Sequence, residues 1–259
     1  MDKTAICVVG NFKFLRKYLK NFLYELRIKG KFDGKVVIIT SYFTPAIIFK
    51  LFIRDNNLVF LKKKKIKFSK KTNSTLENLD TGNQPNRHKT KNFQWHKLYL
   101  FGEEMKQWDY IFYMDINMHI HFPIIDILKD KPLGKFTART DGYPDYKFDL
   151  QTQFDESNKI NSDLRNKYNL DNRYYFQTGV MYFDTKLIEP NTLKEIISLV
   201  ETYPITKTNE QGILNLYFLY EKNIFHELLM KIDDYLVYYY WLIPGKKIII
   251  TKQLREKYK

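Results

Sequence analysis

Along the first sixty residues, short apolar runs alternate with stretches whose apolar positions recur at helical spacing. Thr4 to Val9, closed by Gly10 and Asn11, reads as a buried strand, and Phe12 to Ile28 follows with Phe14, Leu15, Tyr18, Leu19, Phe22, Leu23 and Leu26 on one helical face, ended by Gly30. Lys35 to Thr40 predicts a second strand, the segment from Pro45 through Phe52 a helix, and Leu58 to Leu61 a third strand. Strand, helix, strand, helix, strand in that order predicts a mostly parallel central sheet, Rossmann-like, with helices on both faces.

From Lys62 to Lys91 the periodicity is lost. KKKKIKFSKK passes into Asn, Ser, Thr and Gly, which predicts a flexible basic loop. Three uses fit such a loop: a solvated segment, a flap over an anionic ligand, or an arm for nucleic acid. The pattern returns at Phe93, where a helix carrying Lys97 leads to the apolar run from Tyr110 to Met114. That strand delivers Asp115, Ile116 and Asn117 at its carboxyl end, the end at which open α/β sheets bind ligands. Leu133 to Ala138 predicts another strand, with Arg139, Thr140 and Asp141 at its tip. The residues from Gly142 to Arg173 are polar and irregular and read as an exposed insertion on the substrate side. Tyr174 to Phe183 is a further strand, with Gly179 where a side chain would obstruct a close approach. Lys186 to Thr202 predicts an amphipathic helix, Asn209 caps a helix beginning Glu210, Gln211 and Gly212, and Tyr235 to Ile243 and Lys247 to Thr251 predict strands.

A chain of 259 residues, 44% hydrophobic and 17% aromatic, buries a core of domain size and is not a disordered polymer. Its formal net charge of +14 favours anionic partners: nucleotide diphosphates, acidic glycans, anionic membrane surfaces or nucleic acid. No recognised nucleic-acid module accompanies the charge, so no specific nucleic acid is expected. The single cysteine, Cys7, excludes an intramolecular disulfide framework and fits the cytoplasm or another reducing compartment. The first residues lack the pattern of a signal peptide, and no apolar stretch is long enough to span a bilayer.

An apolar strand ending in an acid, one spacer and a second oxygen donor suits a divalent cation that holds a diphosphate, because hard cations take oxygen ligands. Asp115, Asn117, His119 and His121 alternate, so an extended chain would place them on one face. That spacing admits a transition-metal site, and equally histidines that play no part in ligation.

The helix with Lys97, the run IFYMDIN, the segment FTARTDGYPD, the strand YYFQTGVMYFD and the helix start NEQGILN resemble, in order and rough separation, the family 8 glycosyltransferases, the glycogenin and bacterial galactosyltransferase group. The resemblance runs from about Ala5 to Tyr220. It implies an α/β, GT-A fold in a single domain and transfer of a sugar from a nucleoside diphosphate donor, usually a UDP-sugar, to a glycan, protein or lipid acceptor, with Mn2+ or Mg2+ and retained anomeric configuration. It places Asp115 and Asn117 on the two metal-site positions, Lys97 near the donor, and Gly10 and Asn11 against the nucleoside. It further places Asp141 on the transferred sugar, Gln177 beside the sugar, Glu210 at the acceptor side and Gln211 beneath the anomeric carbon. In GT-A enzymes that invert, an acid acts as base, a part open to Glu210 or Asp141.

Three departures accompany the resemblance. Asn117 is neutral where the family has a carboxylate. The family's late His, followed by a Gly and Lys-Pro-Trp segment, has Thr251 in its place within GKKIIITKQLREKYK. His119 and His121 stand where the family is apolar. A sugar-nucleotide or glycan-binding protein of the same fold without catalysis is the alternative reading; a nucleotidyltransferase is disfavoured because GNFKFLRK lacks a Gly-rich phosphate loop.

Overall fold

The computed structural model describes residues 3–79, 87–140 and 149–256. Its strands are β1 (Thr4–Val9), β2 (Val36–Ser41), β3 (Leu58–Lys63), β4 (Tyr110–Met114), β5 (His119–Ile120), β6 (Phe136–Thr140), β7 (Phe176–Asp184), β8 (Phe225–Glu227), β9 (Lys231–Ile232), β10 (Tyr235–Tyr239) and β11 (Lys247–Thr251). A seven-stranded sheet runs in the order β3-β2-β1-β4-β7-β6-β8. All neighbours in it are parallel except where β7 runs antiparallel to β4 and β6. The second sheet, β5-β11-β10-β9, carries the late part of the chain.

The continuous apolar runs of β1, β2 and β4 follow from burial on both faces. Successive side chains alternate, so Ala5, Cys7, Ile111 and Tyr113 enter one core while Ile6, Val8, Phe112 and Met114 enter the other. Asn11 starts the helix Phe12–Tyr24 by accepting from the Phe14 amide at 3.0 Å, and Leu15, Leu19, Phe22 and Leu23 bury its inner face. Helix Ala46–Ile53 contributes little to the interior: Phe49 is its buried residue.

Several expectations change. The stretch from Lys62 to Lys91 is not one loop. β3 extends to Lys63, and a helix spans Lys70–Glu77, capped by Ser69 Oγ accepting from the Thr72 amide at 3.1 Å. Glu201 accepts from the Ser69 amide at 2.7 Å, and Ile66 and Leu76 enter the core. Anchors so sparse in sequence leave no periodic trace, and the partner lies far along the chain. The insertion read from Gly142 to Arg173 is likewise packed where described, with helix Ile160–Lys167 and with Leu150, Phe154, Leu164, Tyr168 and Leu170 buried. The strand expected from Leu133 starts at Phe136, because Gly134, at φ 63°, makes a turn first. The helix expected from Lys186 starts at Thr192, beyond Pro190, and the strand expected to reach Ile243 ends at Tyr239.

Candidate functional site

A cleft of about 410 Å³ opens where the carboxyl ends of β1 and β4 meet the first residues of β7. Gly10, Asn11, Lys97, Asp115, Asn117, Gln177, Glu210 and Gln211, eight of the nine expected site residues, border it. The ninth, Asp141, lies outside the described residues. Gly179 is needed for this opening. A Cβ there would lie 2.7 Å from Met118 Cε and 3.8 Å from Asp115 Oδ2.

Asp115 is the hub. Its Oδ1 accepts from Tyr113 Oη at 2.7 Å and pairs with Lys97 Nζ at 3.1 Å, while Oδ2 accepts from Lys252 Nζ at 2.6 Å. Burial on its own would raise the Asp115 carboxyl, but Lys252 and then Lys97 outweigh it and hold the group far below the usual carboxylate range. Lys252 Nζ also donates to Asn117 Oδ1 at 2.7 Å. The two oxygens expected to bind a metal are therefore spanned by an ammonium.

Lys97 differs from expectation too. It is 5% exposed, and its Nζ is spent on Glu210 Oε1 at 2.8 Å, Asp115 Oδ1 at 3.1 Å and the Thr178 carbonyl at 3.3 Å. Burial opposes its charge, yet the two carboxylates prevail and raise it above the ordinary lysine range. Glu210 Oε1 also accepts from Thr178 Oγ1 at 3.0 Å, and its Oε2 is buried with no hydrogen-bond partner among the described residues. Lys97 thus braces the cleft floor, while Lys252 presents charge to its interior.

The amides are committed as well. Gln211 Oε1 accepts from the Thr178 amide at 3.1 Å and its Nε2 donates to Gln153 Oε1 at 2.9 Å; Gln177 Oε1 accepts from Tyr238 Oη at 3.1 Å. Asn209 is not a side-chain cap: at φ 57° it turns its amide to donate to Gln94 Oε1 at 2.7 Å and to the Lys91 carbonyl at 3.2 Å. Gly10 accepts from Thr40 Oγ1 through its carbonyl at 2.7 Å, which fixes the turn after β1.

The alternation of Asp115, Asn117, His119 and His121 does not make one face. His119 Nδ1 lies 3.4 Å from Glu25 Oε1, and His121 Nε2 lies 2.9 Å from Thr251 Oγ1. Among the described residues, no group of three or more His, Cys, Asp or Glu gathers as a metal site. The donor set at Asp115 does not suit a divalent cation, since it offers one carboxylate and one neutral amide, both engaged by Lys252. Thr251 is buried and its hydroxyl lies against His121.

Sequence reasoning missed Arg87, Lys91 and Lys252. Arg87 and Lys91 fall in the stretch whose lost periodicity predicts a loop, and Lys252 stands one residue beyond Thr251, past the last predicted strand. Burial and then the charges of Arg87 and Lys252 depress Lys91, which places these cations around one space. With Lys97, four basic side chains face two carboxylates, and the balance favours an anionic ligand.

No protein-family model and no curated protein matches the sequence. Solved structures do match. Mouse xyloside xylosyltransferase 1, apo form, aligns over 96% of this chain and 97% of its own at a TM-score of 0.54 and 10% identity. The galactosyltransferase LgtC, in complex with donor and acceptor sugar analogs, aligns over 82% and 69% at 0.53 and 15% identity. Core-mannan synthase A of Aspergillus fumigatus, in its Mn/GDP form, aligns over 88% and 73% at 0.57 and 8% identity. At these identities the likeness concerns architecture, and it is specific: this chain has the α/β fold of the GT-A glycosyltransferases.

Proposed function

We propose that the chain is a glycosyltransferase of the family 8 type that takes a sugar from a nucleoside diphosphate donor, UDP-linked by the sequence resemblance, and passes it to a glycan, protein or lipid acceptor. The observation that carries this reading is the convergence on one cationic cleft of residues from β1, β4, β7, the Glu210–Leu216 helix and the end of β11. A GT-A fold makes that crevice the place for the donor, and its charge suits a diphosphate.

In this reading the nucleoside rests on Gly10 and Asn11, and the diphosphate faces Lys252 with Arg87 and Lys91 nearby. As the bond from the anomeric carbon to the diphosphate oxygen breaks, its electron pair leaves with the nucleoside diphosphate, and fixed cations stabilise the growing negative charge. The acceptor hydroxyl oxygen forms the new bond to that carbon, and its proton passes to the departing diphosphate oxygen. Gln177 and Gln211, held by Tyr238, Thr178 and Gln153, keep oxygen dipoles on the sugar side. Glu210, ion-paired under the floor, serves to position Lys97 and Thr178 rather than to take the proton. Retention of configuration and the sugar contact of Asp141 rest on the resemblance.

A panel of UDP- and GDP-sugars, read by thermal shift and by release of nucleoside diphosphate, tests the reading. At least one donor is expected to raise the melting point and to be hydrolysed or transferred, and Asp115→Ala to abolish turnover in a folded protein. Undiminished turnover in that variant would remove Asp115 from the site. Donor binding without turnover would give the sugar-nucleotide-binding reading instead.

A further inference from the structure

We propose that Lys252 supplies, from the chain itself, the positive charge that a divalent cation would otherwise bring to the donor diphosphate, so that donor binding needs no metal. The inference rests on the reading of the cleft as a donor site and goes beyond it by giving one ammonium the part of the metal. Two carboxylates and a divalent cation carry no net charge. One carboxylate, the neutral Asn117 amide and one ammonium also carry none, so replacing an acid by Asn is matched by replacing a doubly charged ion by a singly charged one. The geometry agrees with the arithmetic: Nζ sits 2.6 Å from Asp115 Oδ2 and 2.7 Å from Asn117 Oδ1, the two oxygens an ion there would have to reach. A divalent ion at those atoms would have to expel the ammonium and lie beside Lys97 as well, cation against cation.

An ammonium has three N–H groups. Two are given to Asp115 and Asn117; the third has no partner among the described residues, and Lys252 borders the cleft. A phosphate oxygen is the natural acceptor, with Lys acting as a point charge. The backbone holds Lys252 in place for this contact. It follows β11 directly, and its amide bonds to the Tyr239 carbonyl at 3.3 Å, so the second sheet fixes its position.

Titration calorimetry with UDP and with GDP, in excess EDTA and then with Mn2+, separates the outcomes. Expected is the same affinity for the bound nucleotide in both buffers. Lys252→Met should lose affinity by about ten- to a hundredfold, the worth of a charged hydrogen bond, and Lys252→Arg should keep most of it while both variants melt cooperatively. The double variant Asn117→Asp with Lys252→Thr rebuilds two carboxylates without the ammonium and should bind nucleotide only when Mn2+ is present. Binding by the unaltered protein that appears only with Mn2+ overturns the inference and leaves the donor site standing. No binding of either nucleotide in either buffer overturns the donor site itself.

A different face supports a second inference: we infer that the segment from Tyr42 to Phe52 docks on an anionic lipid surface. Phe43, Phe52, Leu51 and Ile47 are 89%, 83%, 67% and 63% exposed, an apolar face the fold leaves uncovered while Phe49 and the half-buried Ile53 hold the helix to the core. Positive charge adjoins it. Lys62 Nζ lies 5.7 Å from the Tyr42 ring, and a groove lined by Tyr42, Phe43, Lys64, Lys65 and Lys89 leads to Asn11 at the donor cleft. From Tyr42 to Lys71 the sequence holds one acid, Asp55, which is paired with Arg27 at 2.9 Å. Apolar side chains ringed by lysines match the boundary between acyl chains and anionic headgroups.

Sedimentation with phosphatidylcholine vesicles, with and without phosphatidylserine, tests it. Binding is expected to the anionic vesicles, at least about tenfold weaker to neutral ones, and at least about tenfold weaker for Phe43→Gln with Leu51→Gln. Absence of binding to anionic vesicles overturns the inference. So does concentration-dependent dimerisation that the same double variant abolishes, which would make a second copy the occupant.

Discussion

Replacing Lys97 by Met tests whether the floor of the cleft is dry. The ammonium lies 2.8 Å from Glu210 Oε1, with side-chain exposures of 7% and 2%. Removing it leaves Asp115 still paired with Lys252, whereas Glu210 keeps one hydrogen bond, from the Thr178 hydroxyl, and the more distant charges of Arg87 and Lys91. Stranding one partner of a buried pair costs about 3–5 kcal/mol. For a chain of this size that is a fall in melting temperature of about 6–20 °C. Lys97→Met combined with Glu210→Leu should recover most of the loss, because neither member of that pair is then left as an uncompensated buried charge. Urea unfolding of the four proteins of this cycle gives the coupling directly. Alkali supplies an independent reading. A raised lysine contributes stability that is complete below about pH 10.4, its unfolded value, and is lost as pH rises through the native value. The unaltered protein should therefore lose stability in strong alkali more steeply than Lys97→Met. A loss below about 1 kcal/mol in the single variant, the worth of a surface pair, would refute the reasoning by showing that water reaches the pair.

Asp115 has the opposite dependence. Its depressed carboxyl contributes stability above about pH 3.9 that is lost as pH falls toward the native value, so the advantage of the unaltered protein over Asp115→Asn should shrink in urea titrations below about pH 4. His88 and His96 are buried and neutral; burial, then Arg87, lowers His88 to about 4, and burial likewise lowers His96 to about 4. Between about pH 6.5 and 5 each should therefore cost about 2 kcal/mol of stability, and denaturation with each replaced by Gln should flatten the decline. Gly179→Ala forces Met118 Cε to move and narrows the space before Asp115, so nucleotide affinity in calorimetry should fall while the melting temperature drops by only a few degrees. Equal affinity in that variant would place the diphosphate away from β7.

The parallel sheet and the strand-end position of Asp115 are legible in the sequence because they arise from local regularities: unbroken apolar runs buried on both faces, and a polar residue at the point where such a run stops. Gly179 is legible for a related reason, as a missing side chain inside an otherwise bulky strand. The helix Lys70–Glu77 is not legible, since Ser69 and Thr72 are held by Glu201 from a distant part of the chain. Nor are the partners of the site. Nothing about Lys97 in its own segment tells that Glu210 and Thr178 will enclose it, and nothing about Lys252 tells that β11 will carry it to Asp115 and Asn117. Periodicity reports which face of an element is apolar; it holds no information about which distant charge meets which. Local pattern determined the elements, the order of the motifs and the edge of the cleft, and tertiary packing alone decided which cation stands between Asp115 and Asn117.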